Sequence, residues 1–204
     1  MAQRYLDKVY ATEGAEATRE LYDDWADSYD AELKAAGYVT PARIAAALGA
    51  HLDDRQAEIL DFGCGTGLSG EALARAGFTN VDGVDLSAEM LEEARAKGIY
   101  RDLAQIAPDD MLEDRAGRYA AITATGVIGA GAAPVECFDR LMHLLPPGGL
   151  FVFSFNDHTL QDPAFEARVS EWTDGGAARL HFREHGAHVP EKDLGATVYV
   201  LEKR

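Results

Sequence analysis

Cysteine is scarce in this chain. Two residues of 204, Cys64 and Cys137, are too few for a disulfide framework. A long apolar run is also missing. No stretch approaches the eighteen residues of a membrane-spanning helix, and the opening "MAQRYLDKVYATEGAE" lacks the apolar middle of a secretory leader. These absences point to a soluble, reduced, cytoplasmic protein. Basic residues are few as well. The 19 Lys and Arg lie scattered among 35 Asp and Glu, giving a formal charge of −16. Such a surface repels phosphate backbones. The expected partner is therefore a small molecule, with no nucleic acid and no anionic membrane. Repeats, low-complexity linkers and large insertions are absent too.

The chain does have enough apolar residues for a core, 47% of the total, in a length that suits one domain over 1–204. Residues 15–34 carry Tyr22, Trp25, Tyr29 and Leu33 at helical steps. "TPARIAAALGAHL" is a second helix, with Thr40 as N-cap and Pro41 in the first turn. From residue 53 to 155 strands and helices alternate. The strands are "AEILDF", "NVDGVDL", "LAQIA", "YAAITAT" and "LFVFSF"; the helices are "LSGEALARAG", "SAEMLEEARAKG" and "APVECFDRLMHLL". Alternation implies a parallel sheet covered on both faces. Residues 156–204 add a helix from Pro163 and two strands, "ARLHFREH" and "GATVYVLEK", read as an antiparallel hairpin around a loop of about ten residues. The expected architecture is α/β, a Rossmann-like seven-stranded mixed sheet with N-terminal helices over 1–52.

"ILDFGCGTGLSGEAL" is the first strand–loop–helix unit. Three glycines at alternate positions, Gly63, Gly65 and Gly67, let a backbone turn sharply and approach a ligand closely. From Gly65 onward the stretch also matches G-x-G-x-x-G, a dinucleotide pattern that is weak when it stands alone. A dinucleotide sets its pyrophosphate on the helix N-terminus. Asp61, two residues before Gly63, is a poor neighbour for that anion and a good one for an ammonium or sulfonium. Nearly sixty residues precede the unit, whereas dinucleotide units usually open their domain. Asp85 ends the second strand, twenty positions after Gly65, where a carboxylate can accept both ribose hydroxyls. NAD and adenosyl cofactors share that feature.

"ILDFGCGTG" followed by "GVDLS" resembles the class I S-adenosylmethionine-dependent methyltransferases over roughly residues 20 to 155. "YDDWADSYD", "GYVTPARIA" and "SAEMLEEARAKGIY" are similar to one branch, the Williams–Beuren-region methyltransferase-like proteins and their bacterial relatives. The resemblance implies S-adenosyl-L-methionine as cofactor and places site residues by position. Gly63, Gly65 and Gly67 would pass its methionyl part, with Asp61 near the amino group. Asp85 would bind the ribose, and Leu86 and Met90 would flank the adenine. Thr125 and Gly126, ending the fourth strand, would lie under the sulfonium. Relatives often hold the adenine amino group with an Asp after the third strand. Here Ala107 stands at that place, leaving Asp109, Asp110 or a backbone carbonyl near Ile106. The Tyr22–Trp25–Tyr29 stripe suits either a core face or a lid, and the resemblance favours the lid.

Other groups have simpler readings beside functional ones. His181, His185 and His188 are close enough to suggest zinc, but no Cys or carboxylate completes a ligand set. Asp109–Asp110 is no better as a magnesium site. Cys64 fills a tight turn more readily than it serves as a nucleophile. Asn156, Asp157 and His158 follow the fifth strand. Asn156 or His158 could touch an acceptor, and His158 could be a base. The function read from the sequence is methyl transfer to a small acceptor by a monomer or homodimer, with no catalytic base assigned. An NAD(P)-dependent oxidoreductase and a non-catalytic adenosyl-binding module are the alternatives.

Overall fold

The computed structural model describes residues 15–129 and 132–204. Residues 1–14, most of the stretch read above for a leader, lie outside the described residues. Helices α1 (Ala15–Ala35) and α2 (Thr40–His51) lead into β1 (Ile59–Phe62), α3 (Leu68–Arg75), β2 (Val81–Asp85), α4 (Ala88–Lys97) and β3 (Asp102–Gln105). There follow β4 (Ala121–Ala124), α5 (Glu136–Leu144), β5 (Leu150–Asn156), α6 (Pro163–Asp174), β6 (Ala178–Val189) and β7 (Leu194–Lys203). All seven strands form one sheet in the order β3-β2-β1-β4-β5-β7-β6. β1 to β5 are parallel, and β7 runs antiparallel to both β5 and β6. This is the mixed sheet expected from the alternating pattern and the closing hairpin.

Burial explains the strand residues. β1 and β4 are buried at every position, as strands covered on both faces must be. One sheet face packs Leu60, Ile122, Phe151 and Phe153 against Phe138, Leu141 and Met142 of α5. The other packs Ile59, Val81, Val152 and Val200 against Ile44 and Leu48 of α2 and Leu73 of α3. A third, separate cluster joins Trp25, Ala26 and Leu33 of α1 to Met90 of α4. Helix ends follow local chemistry. Ser87 accepts from the Met90 amide at the start of α4, and Gly98 closes that helix in a left-handed conformation. Among the described residues no helix is long and apolar enough to cross a membrane.

Three boundaries differ from the sequence reading. Thr40 is the first helical residue rather than the cap, because its hydroxyl is paired with His188 Nδ1 at 2.7 Å. β3 comprises residues 102–105, one residue earlier than "LAQIA" at its start. The expected ten-residue hairpin loop shrinks to a short turn around Pro190–Lys192, because β6 continues through Val189. Gly186 and Ala187 read as loop formers. They pair with Ala196 and Gly195, and the Arg43 guanidinium fastens that end by donating to the carbonyls of Glu184, Ala187 and Ala196.

Candidate active site

The carboxyl ends of β1, β2 and β4 converge beneath α1, where open α/β sheets place their ligands. The loop after β1 is built from glycine conformations. Gly63 has φ +66° and Gly65 φ +53°, both left-handed. A Cβ on Gly65 would meet nothing within 4 Å, since it would point into open cavity. A Cβ on Gly63 would fall 2.5 Å from Val127. Gly63 and Gly65 line the cavity. Gly67 departs from the expectation: it is buried at the start of α3, under Tyr100 and Ala94.

Asp61 also lies elsewhere than expected. It is fully buried beneath the loop and does not appear on the cavity wall. Oδ2 accepts from Ser69 Oγ at 2.5 Å and Tyr100 OH at 2.7 Å; Oδ1 accepts from Thr123 Oγ1 at 2.8 Å. Burial pushes this carboxyl up, and the three hydroxyls pull it back down. Its contacts hold α3, β4 and the segment before β3 around the loop. Sequence reasoning missed Tyr100, which donates to Asp61 and accepts from the Gly70 amide. A tyrosine just before a strand has no signature of its own.

Asp85 stands on the wall. Oδ2 accepts from the Gly65 amide at 2.8 Å and Oδ1 from the Ser87 amide at 3.0 Å. Burial raises its pKa, opposed by these amides. Each carboxylate oxygen keeps a lone pair for a ligand. The cavity encloses about 330 Å³, within the range of small-molecule sites. Leu86, Met90 and Ile106 form an apolar slot beside Asp85, with Ala107 at its edge. Asp109 and Asp110 are not on the wall; Asp110 accepts from the Leu112 amide. Of the candidates for the adenine amino group, only the backbone near Ile106 lies on the wall. Arg140 supports that loop by donating to the carbonyls of Pro108 and Asp110. At the opposite end lie Thr125 and Gly126. Thr125 Oγ1 is buried with no hydrogen-bond partner, while the Gly126 amide donates to Ser154 Oγ.

Helix α1 roofs the cavity. Tyr22 and Tyr29 reach its lining, together with Thr18 and Arg19. Trp25 is 1% exposed and packs edge-on to Tyr29, ring centres 4.6 Å apart. The stripe thus forms its own small core and walls the cavity at once. Asp30 latches the helix down, accepting from Thr66 of the glycine loop at 2.5 Å and from Lys97 of α4. A second, smaller chamber of about 50 Å³ adjoins the first, and Tyr22, Tyr29, Gly126 and Ala132 face both. Trp25, Tyr38, Ser154, Asn156 and His188 help complete its wall.

The remaining candidates separate. His181 pairs with Glu202, His185 with Asp157, and His188 with Thr40. The three histidines do not converge, and no group of metal-ligating side chains occurs among the described residues. Cys64 is buried, and burial pushes its thiol well up, away from nucleophilic character. Asp157 serves the hairpin by accepting from the Gly195 amide. Asn156 reaches the second chamber; His158 does not line it.

A family model described as a methyltransferase domain matches residues 31–197. Methyltransferase-like protein 27 of Homo sapiens is 35% identical over 162 residues, covering 76% of this chain and 66% of that protein. A ubiquinone biosynthesis O-methyltransferase of Xylella fastidiosa is 38% identical over 105 residues, covering 49% of this chain and 42% of that protein. The chain therefore spans less than two thirds of the length of these curated relatives. In fold, it is similar to the TehB-like SAM-dependent methyltransferase of Corynebacterium glutamicum, with a TM-score of 0.62 at 21% identity. That match covers 90% of this chain and 98% of the other.

Proposed function

Because the chain belongs to the methyltransferase-domain family, as a class I S-adenosylmethionine-dependent methyltransferase, we propose that it transfers a methyl group from S-adenosylmethionine to a small-molecule acceptor. One observation carries the reading: a single cavity joins Gly63 and Gly65, Asp85, the Leu86–Met90–Ile106 slot, and Thr125 with Gly126. The residues fit the cofactor. Open space above left-handed Gly65 admits a chain against the backbone. Asp85 offers acceptors for ribose hydroxyls, and the slot offers apolar faces to a flat base. Thr125 Oγ1, buried and unpartnered, is free to donate to the methionyl end.

When bound, the cofactor supplies a methyl group already activated by the positive sulfur. The protein's work is then positioning. Alignment of acceptor, methyl carbon and sulfur can account for roughly 7–11 kcal/mol of a barrier. α1 excludes water from the cavity and so strengthens the polar contacts inside. The acceptor enters the second chamber, next to Gly126. The small size of that chamber and the acidic surface support a small acceptor over a nucleic acid. Asp61, buried beside the loop, disfavours a pyrophosphate there and so disfavours NAD.

Calorimetry tests the reading. S-adenosylmethionine and S-adenosylhomocysteine should bind and NAD should not. Tight NAD binding without a response to either adenosyl compound would refute it.

A further inference from the structure

Gly70 and Gly83 stand where glycine is a poor choice. Gly70 lies within α3 and Gly83 in the middle of β2. Glycine weakens helices and strands alike, and inside a strand it often marks the close approach of another group. Neither residue lines the cofactor cavity. One ring is common to both. A Cβ on Gly70 would fall 2.4 Å from Cζ and from the hydroxyl oxygen of Tyr100. A Cβ on Gly83 would meet Leu103 at 2.7 Å, Cys64 at 2.9 Å and the same ring at 3.1 Å. One on Gly67 would meet that ring at 3.2 Å. Three glycines, from the loop, α3 and β2, thus form a seat for Tyr100. Gly67 and Gly70 are also two of the three glycines in the G-x-G-x-x-G match. Their spacing serves a tyrosine rather than a phosphate.

The hydroxyl is used as fully as the ring. It donates to Asp61 Oδ2 at 2.7 Å and accepts from the Gly70 amide at 3.1 Å. That amide belongs to the first turn of α3, whose amides lack partners within the helix. The cap residue, Gly67, has no side chain to offer an acceptor. Tyr100 offers one from another element. Burial pushes its hydroxyl well up, and Asp61 adds to the shift, so it stays a donor at neutral pH. The backbone beside Tyr100 is anchored. The Arg101 amide donates to the Val81 carbonyl at 2.8 Å. Its guanidinium grips both oxygens of buried Asp82 at 2.7 Å. Tyr100 therefore ties a fixed point on β2 to both ends of the glycine loop, Asp61 before it and α3 after it.

We propose that Tyr100 is a positioning residue for the cofactor: its ring and hydroxyl hold the Gly63–Gly67 loop in the curvature that brings the Gly65 backbone against the ligand. The proposal rests on the methyltransferase reading above. Tyr100 itself is not on the cavity wall, so it acts through the loop. A contact made by backbone cannot be recovered by a change of rotamer. Affinity then depends on the side chains that support the loop.

Tyr100→Phe keeps the ring and removes the hydroxyl. In the full chain, calorimetry should show S-adenosylhomocysteine binding weakened about 10-fold or more, the scale of one hydrogen bond to a charged acceptor. In the unliganded variant the Gly65 amide resonance, set by its bond to Asp85, should shift. A merely structural tyrosine would lower the melting temperature and leave both readings alone. Gly70→Ala suits a helical backbone, and its obstacle is the ring. It should weaken binding about 10-fold in wild type, yet change it less than about 2-fold in a Tyr100→Ala background, the mark of two coupled residues. A ligand that needed the space at Gly70 would lose affinity in both backgrounds. Unchanged affinity or an unmoved Gly65 signal in Tyr100→Phe, or equal losses from Gly70→Ala in both backgrounds, would overturn the proposal. Should the Tyr100→Ala proteins not fold, the Tyr100→Phe measurements still decide. If S-adenosylhomocysteine fails to bind wild-type protein, the cofactor reading falls and takes this one with it. If it binds wild type and Tyr100→Phe equally, only this proposal falls.

Discussion

Trp25→Ala distinguishes a roof that opens from a helix that is merely core. The indole is 1% exposed and packs with Ala26, Leu33 and Met90, apart from the two clusters that hold the sheet. Truncating a buried Trp costs about 3–5 kcal/mol. If α1 opens on its own, that loss falls on its docking rather than on global unfolding. Suppose docking is worth about 2 kcal/mol, so that about 97% of molecules are closed. Removing about 3 kcal/mol leaves about 15% closed, and removing about 5 leaves under 1%. Apparent cofactor affinity scales with the closed fraction, so the dissociation constant should rise about 6-fold to 150-fold. Hydrogen exchange should accelerate across 15–35 in the variant and slow on adding S-adenosylhomocysteine to wild type. The β5 strand, 150–156, should change little. A global stability loss of about 3–5 kcal/mol, with unchanged affinity and equal protection of α1 with and without ligand, would refute the roof.

Asp85→Ala should weaken S-adenosylhomocysteine binding by about 1.5–3 kcal/mol, from lost charge-assisted hydrogen bonds; an unchanged constant in calorimetry would remove Asp85 from the site. Gly63→Ala should lower the melting temperature through its φ of +66° and the 2.5 Å approach to Val127. Adding Val127→Ala should recover only part of the loss, because the backbone strain of about 1–2 kcal/mol persists. Acid should also destabilise the fold through His188. Its folded value of about 4 lies below the ordinary 6.5, because burial outweighs the pull of Asp157, with Arg43 and His158 adding to the depression. Between those values the unfolded chain binds a proton that the folded one does not. Stability should therefore fall by about 3 kcal/mol as pH drops through that window. Urea titrations at several pH values should show this slope in wild type and lose it in His188→Gln.

The alternating strands and helices of the mixed sheet and the glycine loop were legible because their causes are local. "ILDFGCGTG" carries a buried strand and a turn that only glycine tolerates, and both occur where the pattern placed them. The hairpin was less legible. Gly186 and Pro190 look alike as loop formers, yet one pairs in the sheet and the other turns it. The difference is made by Arg43, more than 140 residues away in sequence. Thr40 misled for the same reason: its hydroxyl answers a histidine from β6 instead of its own helix. The aromatic stripe of α1 admits two readings, core or lid, because its residues divide between a small cluster and a cavity wall. Trp25 is buried while its neighbours Tyr22 and Tyr29 face the ligand space.

Two carboxylates at two strand ends looked equivalent in sequence, and burial divides their work. Asp85 keeps lone pairs on the wall. Asp61 has both oxygens taken by hydroxyls of Ser69, Tyr100 and Thr123, so any effect it has on a bound cofactor would act through space. Its charge is nevertheless felt. Burial is the main reason the Asp61 carboxyl and the Cys64 thiol are pushed up, and the neighbouring carboxylates add to it: Asp85 to Asp61, and both to Cys64. Two carboxylates this near the loop favour a cationic ammonium or sulfonium above it and oppose a pyrophosphate. A preference for a cation needs only the charge of Asp61 near Gly63. Contact was an added assumption, and the preference for a cation survives its removal, because Coulomb interactions in a buried site extend beyond the first contact.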